Sequence, residues 1–288
     1  MLSIINTADM FGRQPLVNDH MECIFSPDDI DKLPQPYQLV NKDGAAAIHA
    51  HEITIITGSE AARTALFAKM IAATVITRNY PFATGMTSPL TDGKVLWIDS
   101  VNSLQATAQL ASDMKKLVNA NSKNFLIAAL AALGTDQEYE TFVKEVIMTA
   151  VSDFKPHLII INNLDCLFPY VRYGFAKGFV EYLRDYANSH NAAVCAIGHN
   201  LIGKVKKTTG YVGELLFPVA STVYRVSERT KKQSAITHVS CYKTFHRCPK
   251  DFAFTINEFN FPQQVDPEQD KTGKKSTQQA INQIDNKQ

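Results

Sequence analysis

The chain has no apolar run near the ~20 residues that a membrane-crossing helix needs. It has no CxxC pair. Its five cysteines (Cys23, Cys166, Cys195, Cys241, Cys248) are odd in number, so reduced thiols in a cytoplasmic protein are expected rather than a disulfide framework. The opening stretch MLSIINTADMFGRQP lacks a basic start, an apolar core and a small-residue cleavage site, so no signal peptide is expected. No G-x-S-x-G elbow exists to support a serine hydrolase. Neither charge sign is in excess: 29 Lys and Arg face 28 Asp and Glu, a formal net charge of +1. That balance argues against a protein that coats nucleic acid over its whole surface. No internal repeat is visible.

What is present is an ordinary globular composition, 45% hydrophobic in 288 residues. Three textures follow one another. Residues 1–47 carry Pro34, Pro36 and an acidic DDID cluster at 28–31, and read as an irregular amino-terminal arm. Residues 48–262 alternate apolar runs with amphipathic stretches. Residues 263–288 are rich in Gln, Lys, Asp and Asn, bury too little to offset their ordering entropy, and read as a flexible tail.

Within the body, EITIIT (52–57), KVLWID (94–99), HLIII (157–161) and AAVCAI (192–197) read as buried strands. The stretches 61–76, 103–118, 124–133, 138–154 and 175–189 read as helices. On 103–118, Leu104, Ala108, Ala111 and Leu117 lie near one face. Three further strands are expected at 221–226, 235–242 and 252–257. The alternation implies an α/β fold, a parallel sheet with helices on both faces and an antiparallel extension at its carboxy-terminal side. Trp97, the only tryptophan, falls inside a strand and is expected in the core.

A strand, a glycine turn and a helix at 53–76 form the place of a phosphate-binding loop. Such a loop uses backbone N–H groups, a Lys for the β/γ-phosphates and a Ser/Thr for Mg²⁺. The stretch here is Thr57-Gly58-Ser59-Glu60-Ala61-Ala62-Arg63-Thr64. In the G-x-x-x-x-G-K-[ST] register only Thr64 matches. Thr57 and Ala62 replace the glycines, Arg63 replaces the Lys, and Glu60 places a carboxylate where phosphate would sit.

Five pieces in order, EITIITGSEAART, VLWIDSVNS, HLIIINNLDCL, AVCAIGHN and GYVGELLFPVASTVYRV, resemble the RecA-like P-loop ATPase superfamily. The resemblance is to the branch with hexameric replicative helicases, plasmid replication helicases and KaiC-type proteins, as carried on mobilisable elements. It implies a three-layer RecA-like sandwich. It also implies ATP and Mg²⁺ as cofactors of an intact site, but the site residues depart from the pattern. Asn162 stands where the family has the metal-strand Asp, and an amide lacks the charge that holds a hard cation. Val101 or Asn102 stands where the family has a catalytic Glu, and neither can act as a base. Arg63 keeps the positive charge in a bulkier, planar form. His199 keeps the sensor position, followed by Asn200 where Gln is common. Asp99, at the end of its strand, retains a family position suited to structural hydrogen bonding. The expectation is a pseudo-ATPase with no catalytic residue and no required cofactor. Its vestigial nucleotide site would comprise residues 57–64 with Asp99, Asn162 and His199. The alternatives are an active or weakly active ATPase, with Asp165 as a substitute metal contact, and a structural partner of an active RecA-like paralogue.

The balanced total hides an uneven distribution: residues 201–250 hold ten Lys and Arg against two Glu. The resemblance places the loop after the fourth strand in a channel that holds single-stranded DNA. Here that loop is 201–213, with Lys204, Lys206 and Lys207 to follow phosphates and Tyr211 to stack on a base. Lys243, Arg247 and Lys250 are assigned to a subunit interface on the same ground. The implied partners are single-stranded DNA and further subunits, in a homo-oligomer or a mixed ring, with no membrane. His49-Ala50-His51 reads as exposed imidazoles at the start of a strand. His238, Cys241, His246 and Cys248 supply zinc-ligand types, but the single residue between His246 and Cys248 does not match a zinc knuckle. No metal site is expected.

Overall fold

The computed structural model describes residues 37–59, 63–83, 85–130, 139–167, 173–199, 210–231 and 234–265. Two sheets are present. The smaller has the order β2-β1-β4, from β1 (Gln38–Lys42), β2 (Ala45–His49) and β4 (Met86–Thr87). The larger has nine strands in the order β12-β11-β10-β9-β3-β8-β7-β5-β6. Its parallel part comprises β3 (Ile53–Gly58), β5 (Val95–Asp99), β6 (Phe125–Ala129), β7 (Leu158–Asn162), β8 (Ala193–His199) and β9 (Thr222–Lys231). The antiparallel extension comprises β10 (Ser234–Thr244), β11 (Phe252–Ile256) and β12 (Pro262–Val265).

The central strands are apolar without alternation because both faces are covered. Trp97, Ile160, Cys195 and Ile197 face one hydrophobic core, whereas Leu96, Ile98, Ile159 and Ile161 face the other. The first core is built with α1 (Thr64–Thr77), α2 (Leu104–Val118) and the small sheet. The second takes α3 (Tyr139–Phe154), the single turn α4 (Leu164–Leu167), α5 (Tyr173–Ser189) and α6 (Gly210–Val219). The result is a three-layer α/β sandwich. Helix α1 is buried almost all round, because it lies between the large sheet and the small one. Its Ala, Ile and Met content is what such a position demands.

Several expectations change. Of the stretch 124–133, expected as a helix, residues 125–129 form β6, paired in parallel with β5. Its alanines suggested helix, but tertiary pairing overrides that local preference. Residues 38–47 are not an irregular arm but two antiparallel strands. The body also extends past 262, since β12 pairs with β11 through Val265. The buried stripe of α2 is Thr107, Leu110, Met114 and Leu117, while Leu104, Ala108 and Ala111 are exposed. Ser103 caps that helix by accepting from the Ala106 N–H at 3.3 Å. Residues 1–36 of the arm and 266–288 of the tail lie outside the described residues.

Candidate functional site at the carboxyl edge of the sheet

In a parallel α/β sheet, ligands bind beyond the carboxyl ends of the strands. Register brings four of the expected positions to that edge. Gly58 pairs with His199 and Val226, and Asp99 pairs with Asn162. Thr57 and Gly58 end β3, Ser59 follows, and Thr64 begins α1. Arg63 stands at the N-cap of α1 with a left-handed backbone (φ 55°, ψ 35°). Glu60, Ala61 and Ala62 lie outside the described residues.

The polar groups of this edge bond mainly to one another. Asp99 is fully buried and its carboxylate accepts four hydrogen bonds: from the Val101 N–H (3.4 Å), the Asn102 N–H (3.2 Å), Asn102 Nδ2 (2.9 Å) and Thr107 Oγ1 (3.2 Å). Val101, which with Asn102 shares the expected base position, is exposed. Ser100 donates to the carbonyl oxygens of Asn162 (3.3 Å) and Asn163 (2.8 Å). The Asn163 amide lies 3.2 Å from His199 Nδ1, and its oxygen accepts from the Cys166 N–H at 3.1 Å. The sensor position is thus tied to the neighbouring strand. The Arg63 guanidinium meets the Glu228 carboxylate of β9 at 3.7 Å, both half-buried. Sequence reading missed this partner, because only the sheet order places β9 beside β3.

Between the end of β3 and β9 lies a cavity of about 210 Å³, lined by Thr57, Gly58, Ser59, Arg225, Val226, Ser227 and Glu228. Pockets for small molecules commonly enclose ~300–1,000 Å³. Among its described lining residues, Glu228 gives it a carboxylate wall.

The expected nucleic-acid residues are placed in part. Lys204, Lys206 and Lys207, with Asn200, lie outside the described residues, as does the side chain of Asp165. Tyr211 sits not on a loop but in the first turn of α6. It is 46% exposed and packs edge-on against Tyr173, 53% exposed, at 5.6 Å between ring centroids. Lys243, Arg247 and Lys250 lie toward the opposite, amino edge: Lys243 pairs with Val223 near the start of β9, and its Nζ donates to the Pro218 carbonyl at 3.5 Å.

The zinc-type residues of the sequence are also redistributed. His246 bonds Glu52, and the free thiols of Cys241 and Cys248 share a hydrogen bond. His49 is buried rather than exposed, and stacks on His246. His51 bonds the Asn188 carbonyl at 3.1 Å. No described helix is long and apolar enough to cross a membrane.

The fold is similar to those of two archaeal proteins. A KaiC-like protein from Pyrococcus horikoshii aligns with TM-score 0.52 and 11% identity, over 78% of this chain and 98% of its own. The flagellar accessory protein FlaH from Methanocaldococcus jannaschii aligns with TM-score 0.52 and 12% identity, over 83% of this chain and 94% of its own. At that identity the likeness concerns the fold, which is RecA-like. No protein-family model matches the sequence, and no curated protein matches it either.

Proposed function

We propose that the chain is a RecA-like pseudo-ATPase that serves as a DNA-binding or assembly component in the replication or transfer of a mobile element. The observation that carries the first part is the state of Asp99. Its carboxylate is buried and accepts four internal hydrogen bonds, so it is committed to structure rather than to a hydrated cation. Asn162 beside it offers no charge, and Arg63 is engaged by Glu228. Phosphoryl transfer depends on positioning and charge, so these departures together remove its means.

The DNA part rests on composition and on one pair of rings. Tyr173 and Tyr211 form an exposed aromatic step at the start of α5 and α6. Lys204, Lys206 and Lys207 precede α6 in sequence. Aromatic faces with nearby cations suit single strands without sequence preference. Lys243, Arg247 and Lys250 are available for a subunit contact in a homo-oligomer or mixed ring. The mobile-element setting comes from the family resemblance alone.

Thermal unfolding with ATP–Mg²⁺ tests the first part. A ligand at 100 times its dissociation constant would stabilise the fold by about 2.7 kcal/mol. No shift at millimolar nucleotide is expected. A shift, with hydrolysis that disappears in an Arg63→Ala, Thr64→Ala double variant, would establish an active site instead. For the DNA part, binding of single-stranded DNA should weaken with salt at a log–log slope of about −2, for three phosphate contacts. Tyr211→Ala should cost about 1–3 kcal/mol of affinity. Absence of binding at low salt would remove the DNA role.

A further inference from the structure

At the amino edge of the large sheet, opposite the site above, three side chains distant in sequence converge. His49 ends β2, Glu52 precedes β3, and His246 follows β10. One potential ligand atom from each lies within 4.8 Å of the others. His246 Nε2 is 2.6 Å from Glu52 Oε1, across 194 positions of sequence. The His49 and His246 rings stack at 3.9 Å between centroids with a 28° tilt.

The hydrogen bonding of this cluster is incomplete. His49 is only 5% exposed, and among the described residues neither of its ring nitrogens has a hydrogen-bond partner. Glu52 Oε2 is likewise buried and unpartnered among them. A buried imidazole with two unmet nitrogens is costly, and such groups ordinarily signal an ion or water. The backbones that carry the three residues are held firmly. The Ala50 N–H donates to the Tyr37 carbonyl (2.8 Å), the Val194 N–H to the Glu52 carbonyl (3.1 Å), and the His246 N–H to Thr244 Oγ1 (3.1 Å).

We infer that His49, Glu52 and His246 form a binding site for a zinc-class divalent cation. Two imidazoles and one carboxylate are a common zinc ligand set with a fourth position left for water. Nitrogen donors favour zinc over Mg²⁺ or Ca²⁺, which prefer oxygen. Tetrahedral bonds of about 2.0–2.2 Å place ligand atoms about 3.3 Å apart, so binding would unstack the two rings and open the His246–Glu52 contact. The ion would join β2 of the small sheet to β3 and β10 of the large one.

The test uses the full chain, stripped by chelator and titrated with Zn²⁺, with Mg²⁺ as a control. One equivalent of Zn²⁺ should bind and raise the thermal midpoint, and Mg²⁺ should do neither. His246→Ala, at a half-buried position, should weaken Zn²⁺ binding by more than about 100-fold, beyond the loss typical of an outer-sphere partner. Glu52→Gln preserves shape and should weaken it as well, which covers the case where His246→Ala misfolds. His51→Ala and a Cys241→Ser, Cys248→Ser double variant should bind as the parent does. No stoichiometric binding overturns the site. So does binding that survives His246→Ala and Glu52→Gln, or that is lost with the two cysteines.

Discussion

Replacing Asp99 by Ala should destabilise the fold severely, although Asp99 lies at the carboxyl edge of the sheet, where ligands of parallel α/β sheets bind. The carboxylate is inaccessible and accepts from two backbone N–H groups, one amide and one hydroxyl. Truncation leaves these donors facing a cavity. Asn102 is only half-buried and can turn to water, but Thr107 is buried and held on α2. Hydrogen bonds to a charged group are worth about 1.5–3 kcal/mol each and do not add, so a net loss near 3 kcal/mol follows. For a domain of this size that is a fall of about 6–12 °C in the thermal midpoint. Asp99→Asn should cost less, because an amide oxygen can still accept both backbone N–H groups.

Trp97 makes the assay simple. It is the only tryptophan, lies two residues from Asp99 on β5, and is fully buried. Its fluorescence reports global unfolding in urea at each variant's midpoint. An Asp99→Ala variant within about 0.5 kcal/mol of the parent would refute the structural assignment, since surface changes typically stay in that range. The same variants carried through the ATP–Mg²⁺ measurement separate the roles. A structural Asp99 shifts stability equally with and without nucleotide.

Other expectations follow from the described geometry. Burial pushes the Cys195 thiol up to about 12, and Cys195 is fully buried, whereas Cys248 is exposed. At pH 8 an alkylating reagent should label Cys248 readily and Cys195 only on unfolding, as read by mass spectrometry; equal labelling in the native state would contradict this packing. Burial, then the Lys94 charge, hold His157 below its ordinary 6.5, and its Nδ1 accepts the Lys94 N–H at 3.1 Å. The folded state therefore favours neutral His157, so its contribution is complete above pH 6.5 and is lost as pH falls from there toward the lowered folded value. The urea midpoint should drop between pH 7 and 5, less so in His157→Asn; a flat profile would count against it. A methyl added at Gly93 would collide with the Val75 carbonyl oxygen. Gly93→Ala should cost about 1–3 kcal/mol, measured by the same urea titration.

The strands that carry the fold were legible because burial on both faces leaves an unmistakable apolar run. KVLWID and HLIII needed no context. The small sheet was not legible: AAAIH (45–49) has no alternation and opens on three alanines, and its burial comes from the core it shares with α1. Helix α6 was hidden by two glycines and Pro218, all of which lower helix propensity. Missing residues were easier to read than missing interactions. That Asn162 stands where the resemblance expects an Asp is visible in one letter. The pairing of Arg63 with Glu228, and of His246 with Glu52, depends on sheet order and register, which a single sequence does not carry.

The two edges of the sheet invite opposite experiments. The fold itself is carried by apolar strand interiors, and RecA-like architecture alone says little about chemistry. At the carboxyl edge, charged and polar groups have turned inward: Asp99 to Asn102 and Thr107, Asn163 to His199, Arg63 to Glu228. Binding there would have to break bonds that already stabilise the fold. At the amino edge, His49 and Glu52 retain buried polar atoms without a partner among the described residues, so an ion there would supply bonds rather than displace them. The energetic incentive to bind is therefore greater at the amino edge.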